Sequence, residues 1–148
     1  MVVYSQGESP MPRKDKIHDA VKNALIKDGW TITDDPYRII FGDADVYADF
    51  RIVKAGTETI LTRALVIEIK GFTGDSPLHN LENALGQYEV YRIYLKSIAP
   101  EDKLYLAISS AIYKKQFVRP AFAIIVQEKQ LPLLIVDLEH EEVIEWIN

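Results

Sequence analysis

The chain has 148 residues, 48% hydrophobic and 26% charged, with a formal net charge of -5 and no cysteine. Such a length suits one domain that buries roughly 68–70% of its unfolded surface, and the composition is that of a globular protein rather than a disordered tail. Disulfides and thiolate metal sites are excluded. The negative balance argues against a protein that coats nucleic acid non-specifically, although a carboxylate site contributes negative charge that a bound cation reverses.

Residues 1–10 read as a polar leader containing Gly and Pro, outside the folded domain at 11–148, and Met11-Pro12 reads as a second start. No stretch has the length of a membrane span and the N-terminus lacks signal-peptide character, so a cytoplasmic protein is expected. From Asp15, its expected cap, Ile17, Ala20, Val21, Ala24 and Leu25 fall on one helical stripe that Gly29 stops. Trp30–Thr33 reads as a strand ended by the turn signal Asp34-Asp35-Pro36, and Val46–Val53 as another, preceded by Gly42-Asp43. The apolar run 64–69 predicts a third strand.

A loop over Gly71–Pro77 leads into a long helix through Leu78, Leu81, Leu85, Tyr88 and Tyr91, followed by a strand at Leu104–Ser109. Pro120 interrupts Ala111–Gln127, which predicts two short helices. Leu133–Asp137 and Val143–Ile147 read as a terminal hairpin around a charged turn. The order predicts an α/β or α+β fold with a mixed sheet flanked by helices. Asp137, Glu139, Glu141, Glu142 and Glu145 make the C-terminal end acidic, facing away from DNA or toward a basic partner.

The third strand carries the chemistry. Side chains alternate along it, so Val66, Glu68 and Lys70 project one way and Leu65, Ile67 and Ile69 the other. A carboxylate and an ammonium at the end of a buried strand need partners, and a divalent cation or a phosphate supplies one. Asp49 stands nineteen positions before Glu68 on another strand-like segment. The alternative is an ion pair between Glu68 and Lys70, with Asp49 capping a turn.

The order helix, acidic strand, Glu-x-Lys strand, helix, strand resembles the PD-(D/E)xK superfamily, with its restriction-endonuclease-like fold. Asp49, Glu68 and Lys70 match its motif; Ala48 stands where proline precedes the acid. That resemblance implies Mg²⁺ (or Mn²⁺) held by Asp49, Glu68 and the Ile69 carbonyl, and Lys70 orienting the attacking water. Gln87 and Tyr91, four apart, resemble a helix motif in one branch of these nucleases that sets the glutamine beside the active-site lysine; Tyr91 reads equally as core. Asp19 fits the helix acid that reaches the metal in several such nucleases, though the helix dipole alone favours a carboxylate there. Its neighbour His18 is a weaker candidate, and Asp45, four before Asp49, either assists it or belongs to a turn.

A second resemblance covers the chain from about Met11 to its end. The segments HDAVKNALIKDGWTIT at 18–33, VIEIK at 66–70 and LENALGQY at 81–88, with the closing Val143-Ile144-Glu145-Trp146-Ile147, resemble the cyanobacterial XisH family, the fdxN-element excision controlling factors. Gly71 stands where serine is expected. This implies a role in site-specific excision of a DNA element, with DNA, an XisI-type protein and a recombinase as partners, a homodimer being left open. Two readings follow: a metal-dependent endonuclease centred on Asp49, Glu68, Lys70 and Gln87, or a non-catalytic accessory protein.

Overall fold

The computed structural model describes residues 11–54 and 63–148; the leader expected at 1–10 lies outside the described residues. Helix α1 (Met11–Lys27) begins four residues before the expected start at Asp15, with Pro12 tolerated in its first turn. It stops where the sequence predicts. Gly29 takes the left-handed conformation (φ 95°), its N–H donates to the Ile26 carbonyl, and the Trp30 N–H reaches back to the Leu25 carbonyl, both at 3.0 Å.

Strand β1 (Thr31–Asp34) is followed by β2 (Tyr37–Phe41), which the periodicity did not reveal. The expected strand over Val46–Val53 is in fact two: β3 (Ala44–Ala48) and β4 (Phe50–Lys54), parted by a bend at Asp49. β3 pairs with β2 as a separate two-stranded hairpin, whereas β4 lies between β1 and β5 (Arg63–Ile69) in the main sheet. Helix α2 (Pro77–Ile98) starts with Ser76 accepting from the His79 N–H and with Pro77 at a position that needs no donor. Strand β6 (Lys103–Ser109) leads directly into α3 (Ser110–Gln116), and Pro120 opens α4 (Pro120–Lys129), giving the two short helices that its position predicts. β7 (Leu133–Asp137) and β8 (Glu142–Ile147) close the chain as the expected antiparallel pair.

The six-stranded sheet runs β1-β4-β5-β6-β7-β8, with β5, β6 and β7 parallel and the outer strands antiparallel. The fold is a mixed α+β architecture, a central mixed sheet flanked by helices. Alternation divides the core between the two faces. Val66, Leu104, Leu106, Leu133 and Ile135 face α2, α3, α4 and the β2–β3 hairpin, while Leu65, Ile67, Tyr105, Ala107, Leu134 and Val136 face α1, Trp30 and Trp146. Both faces being buried, the central strands are apolar along their middles, with the charged and polar residues at or near their ends. Among the described residues no helix is long and apolar enough to cross a membrane.

Ile67 has no exposed surface and stands on β5 two residues before its end. Ile67→Ala should cost about 2–5 kcal/mol through lost burial and the cavity left behind, read as a lower urea midpoint with an unchanged slope.

Candidate active site

The bend at Asp49 brings the acids together. Continuing the β4–β5 register one step beyond the pair Phe50 and Ile67 sets Asp49 opposite Glu68. Along a strand, main-chain polar groups alternate between the two neighbours. The Lys70 N–H bonds to the Ala107 carbonyl of β6, so Ile69 presents its N–H and carbonyl to the β4 side. There the chain has already turned away, and the Asp49 carboxylate takes the vacant partner's place: Oδ2 accepts from the Ile69 N–H at 2.7 Å.

The Glu68 side chain is only 12% exposed, and Lys70 Nζ stands 3.7 Å from its Oε2. Burial, then the charge of Asp49, push the Glu68 carboxyl up to about 8, with Lys70 opposing them. Burial beside a second acid thus favours the neutral form of Glu68.

Lys70 also donates to the Gln87 side-chain oxygen. The Gln87 amide donates to the Tyr91 hydroxyl at 2.9 Å, and that hydroxyl donates to the Tyr47 carbonyl of β3 at 3.1 Å. Tyr91 is thus both core and anchor: it is buried, and it fixes Gln87 beside Lys70.

Two of the expected acids lie elsewhere. Asp19 is exposed on α1, and it is His18, one residue earlier, whose Nδ1 comes within 3.4 Å of Asp49 Oδ1. One residue turns a side chain by about 100° around a helix, so the two neighbours cannot share a target. Asp45 belongs to the β2–β3 hairpin, where Arg38 grips it at 2.7 and 2.9 Å; the bend at Asp49 breaks the alternation that would have set it beside the site.

Asp35, read in the sequence only as a turn residue, is a further member. It accepts from Lys22 Nζ at 2.9 Å and lies 2.8 Å from His18 Nε2. Although burial works the other way, the hydrogen bonds from Lys22 and His18 hold the Asp35 carboxyl below its ordinary range. Only the Asp-Asp-Pro turn marked this position, and a turn signal does not say which helix it will meet. Among the described residues, no three His, Asp or Glu side chains are grouped closely enough to hold an ion between them.

The chain matches the family described as XisH protein over residues 11–144. It is similar to the crystal structure of an XisH family protein from Nostoc punctiforme, with 35% identity and a TM-score of 0.82 over 90% of this chain and 100% of that one. It is also similar to an fdxN element excision controlling factor protein from Anabaena variabilis, with 35% identity and a TM-score of 0.79 over 90% and 99% of the two chains. No curated protein matches it.

The raised Glu68 favours its neutral form in the folded state, so its contribution to stability is full below about 4.5 and is lost as pH climbs through about 8. Glu68→Gln should therefore melt close to the parent at pH 5 in chelator, increasingly above it as pH rises to about 8, and by a steady margin beyond. A constant difference from pH 5 upward in thermal unfolding would contradict the burial and charge assigned to this carboxyl.

Proposed function

The chain belongs to the XisH family, and on that footing we propose that it is a divalent-metal-dependent endodeoxyribonuclease of the restriction-endonuclease-like, PD-(D/E)xK kind that acts in the excision of a DNA element. The observation that carries the chemistry is the placement of Asp49 opposite Glu68, with Lys70 two residues along the same strand. The excision role comes from the names of the similar proteins, one of which is an fdxN element excision controlling factor.

The donor set suits Mg²⁺ or Mn²⁺. Asp49, Glu68 and the Ile69 carbonyl offer hard oxygen ligands, and such ions complete their shells with water. Two facing acids, one of them buried so that its neutral form is favoured, would bind a dication as that proton is displaced. When bound, the cation would polarise a phosphodiester and lower the pKa of a coordinated water.

The chain's own groups do the rest. Lys70 orients the attacking water and offsets the charge that develops on the phosphate oxygens. Gln87, fixed by Tyr91, keeps the ammonium from collapsing fully onto Glu68. In-line attack by water at phosphorus with the 3′ oxygen as leaving group, the course that the resemblance to PD-(D/E)xK nucleases implies, would give 5′-phosphate and 3′-hydroxyl ends.

A second reading is an accessory protein that binds DNA, an XisI-type protein or a recombinase without cutting. The net charge of -5 favours it, since phosphate binding ordinarily draws on basic surface.

Incubation with branched and linear DNA in Mg²⁺ or Mn²⁺ separates the two. The expected outcome is metal-dependent cleavage that falls at least ~100-fold in Lys70→Ala and Glu68→Ala, with circular dichroism unchanged. Cleavage surviving both substitutions would refute the assignment, whereas DNA or protein binding without cleavage would establish the accessory reading.

A further inference from the structure

We propose that His18 is a positioning residue of this site: braced by Asp35, its ring holds the Asp49 carboxylate in the orientation that receives a divalent cation. The proposal deepens the metal-site reading given above and rests on it.

The geometry forms a line from the surface inward. Lys22 holds one oxygen of Asp35 at 2.9 Å, and the other oxygen lies 2.8 Å from His18 Nε2. With one Asp35 oxygen on Lys22 and the other on His18, the ring orientation is set from outside the site. Nδ1 then faces Asp49 Oδ1 at 3.4 Å, while Asp49 Oδ2 is fixed by the Ile69 N–H at 2.7 Å. Each oxygen of the carboxylate is therefore addressed from a different element, one by α1 and one by β5. A carboxylate pinned at one oxygen alone can still swing about its side-chain bonds; a group facing the second oxygen restricts that swing.

Outer groups of this kind orient ligands, and their loss typically costs 10–100-fold in metal affinity. The bland alternative is that His18 is there to pack, since its ring lies 4.4 Å from that of Phe50 at an angle of 40°. The two roles separate by substitution. Phenylalanine keeps the ring against Phe50 and removes both nitrogens.

Mn²⁺ binding is measured by paramagnetic resonance on the full chain for the parent, Asp49→Asn, His18→Phe and Asp35→Asn, alongside thermal unfolding of each in chelator. Asp49→Asn should abolish binding. His18→Phe should weaken it about 10–100-fold at an unchanged melting temperature, and Asp35→Asn should weaken it in the same direction by less. Parent-like affinity, within twofold, in both His18→Phe and Asp35→Asn while Asp49→Asn has lost it would overturn the positioning role and leave the metal site standing. Parent-like affinity in Asp49→Asn would instead remove the metal-site reading, and this inference with it. If His18→Phe fails to fold, Asp35→Asn, altered in a turn, decides the question.

Discussion

One hydrogen bond ties the fold to its chemistry: the Ile69 N–H to the Asp49 carboxylate. β5 extends beyond the start of β4, so its last residues present polar groups to a neighbour that is no longer there. An unpartnered main-chain N–H at the edge of a packed sheet is costly. A side-chain carboxylate meets it, and in doing so an acid is fixed at the end of the strand that carries Glu68 and Lys70. The same bend releases β3 to form the hairpin with β2, so the change of sheet and the assembly of the acids are a single event in the chain.

The hairpin is itself part of the site's support. Lys70 is held by Gln87, Gln87 by Tyr91, and Tyr91 by the Tyr47 carbonyl on β3. This relay crosses from β5 to α2 and back to the strand that enters the Asp49 bend. Its members are mutually restrained, because shifting the hairpin would move both the Tyr91 anchor and the backbone that aims Asp49. Drawn toward the Gln87 amide oxygen, the Lys70 ammonium stands 3.7 Å from Glu68. Polar networks of this kind, when satisfied at each step, specify one arrangement of the surrounding core.

Much of this was legible in the string and some was not, for reasons of geometry. The period of two along β5 correctly divided Leu65 and Ile67 from Val66. Gly29, Pro120 and the terminal hairpin announced themselves through local backbone chemistry, which needs no distant partner. Alternation failed over Val46–Val53 because it runs unbroken through Asp49 while the pairing partner changes, and pairing is a property of two strands rather than one. Asp45, expected in a turn or beside Asp49, lies instead within strand β3. Asp19 and His18 were both in view, and nothing local told which of two adjacent helical positions would face β4. Asp35 was hidden more deeply, since its partners lie thirteen and seventeen residues back on α1.

The uneven charge also reads differently once placed. Part of the acidic C-terminal turn is engaged with α1: the Asn23 amide donates to Glu141 at 3.2 Å, and Lys27 donates to the His140 carbonyl at 2.9 Å. Asp137 accepts from the main-chain N–H groups of Glu139 and His140, closing its own turn. These contacts join the C-terminal part of α1 to the turn between β7 and β8, the two strands against which the helix also packs. Net charge summed over the chain mixes this structural use with the carboxylates of the site, whose field a dication would reverse. It is therefore a weak guide to whether a phosphate can approach Glu68, and the local arrangement of Asp49, Glu68 and Lys70 is the stronger one.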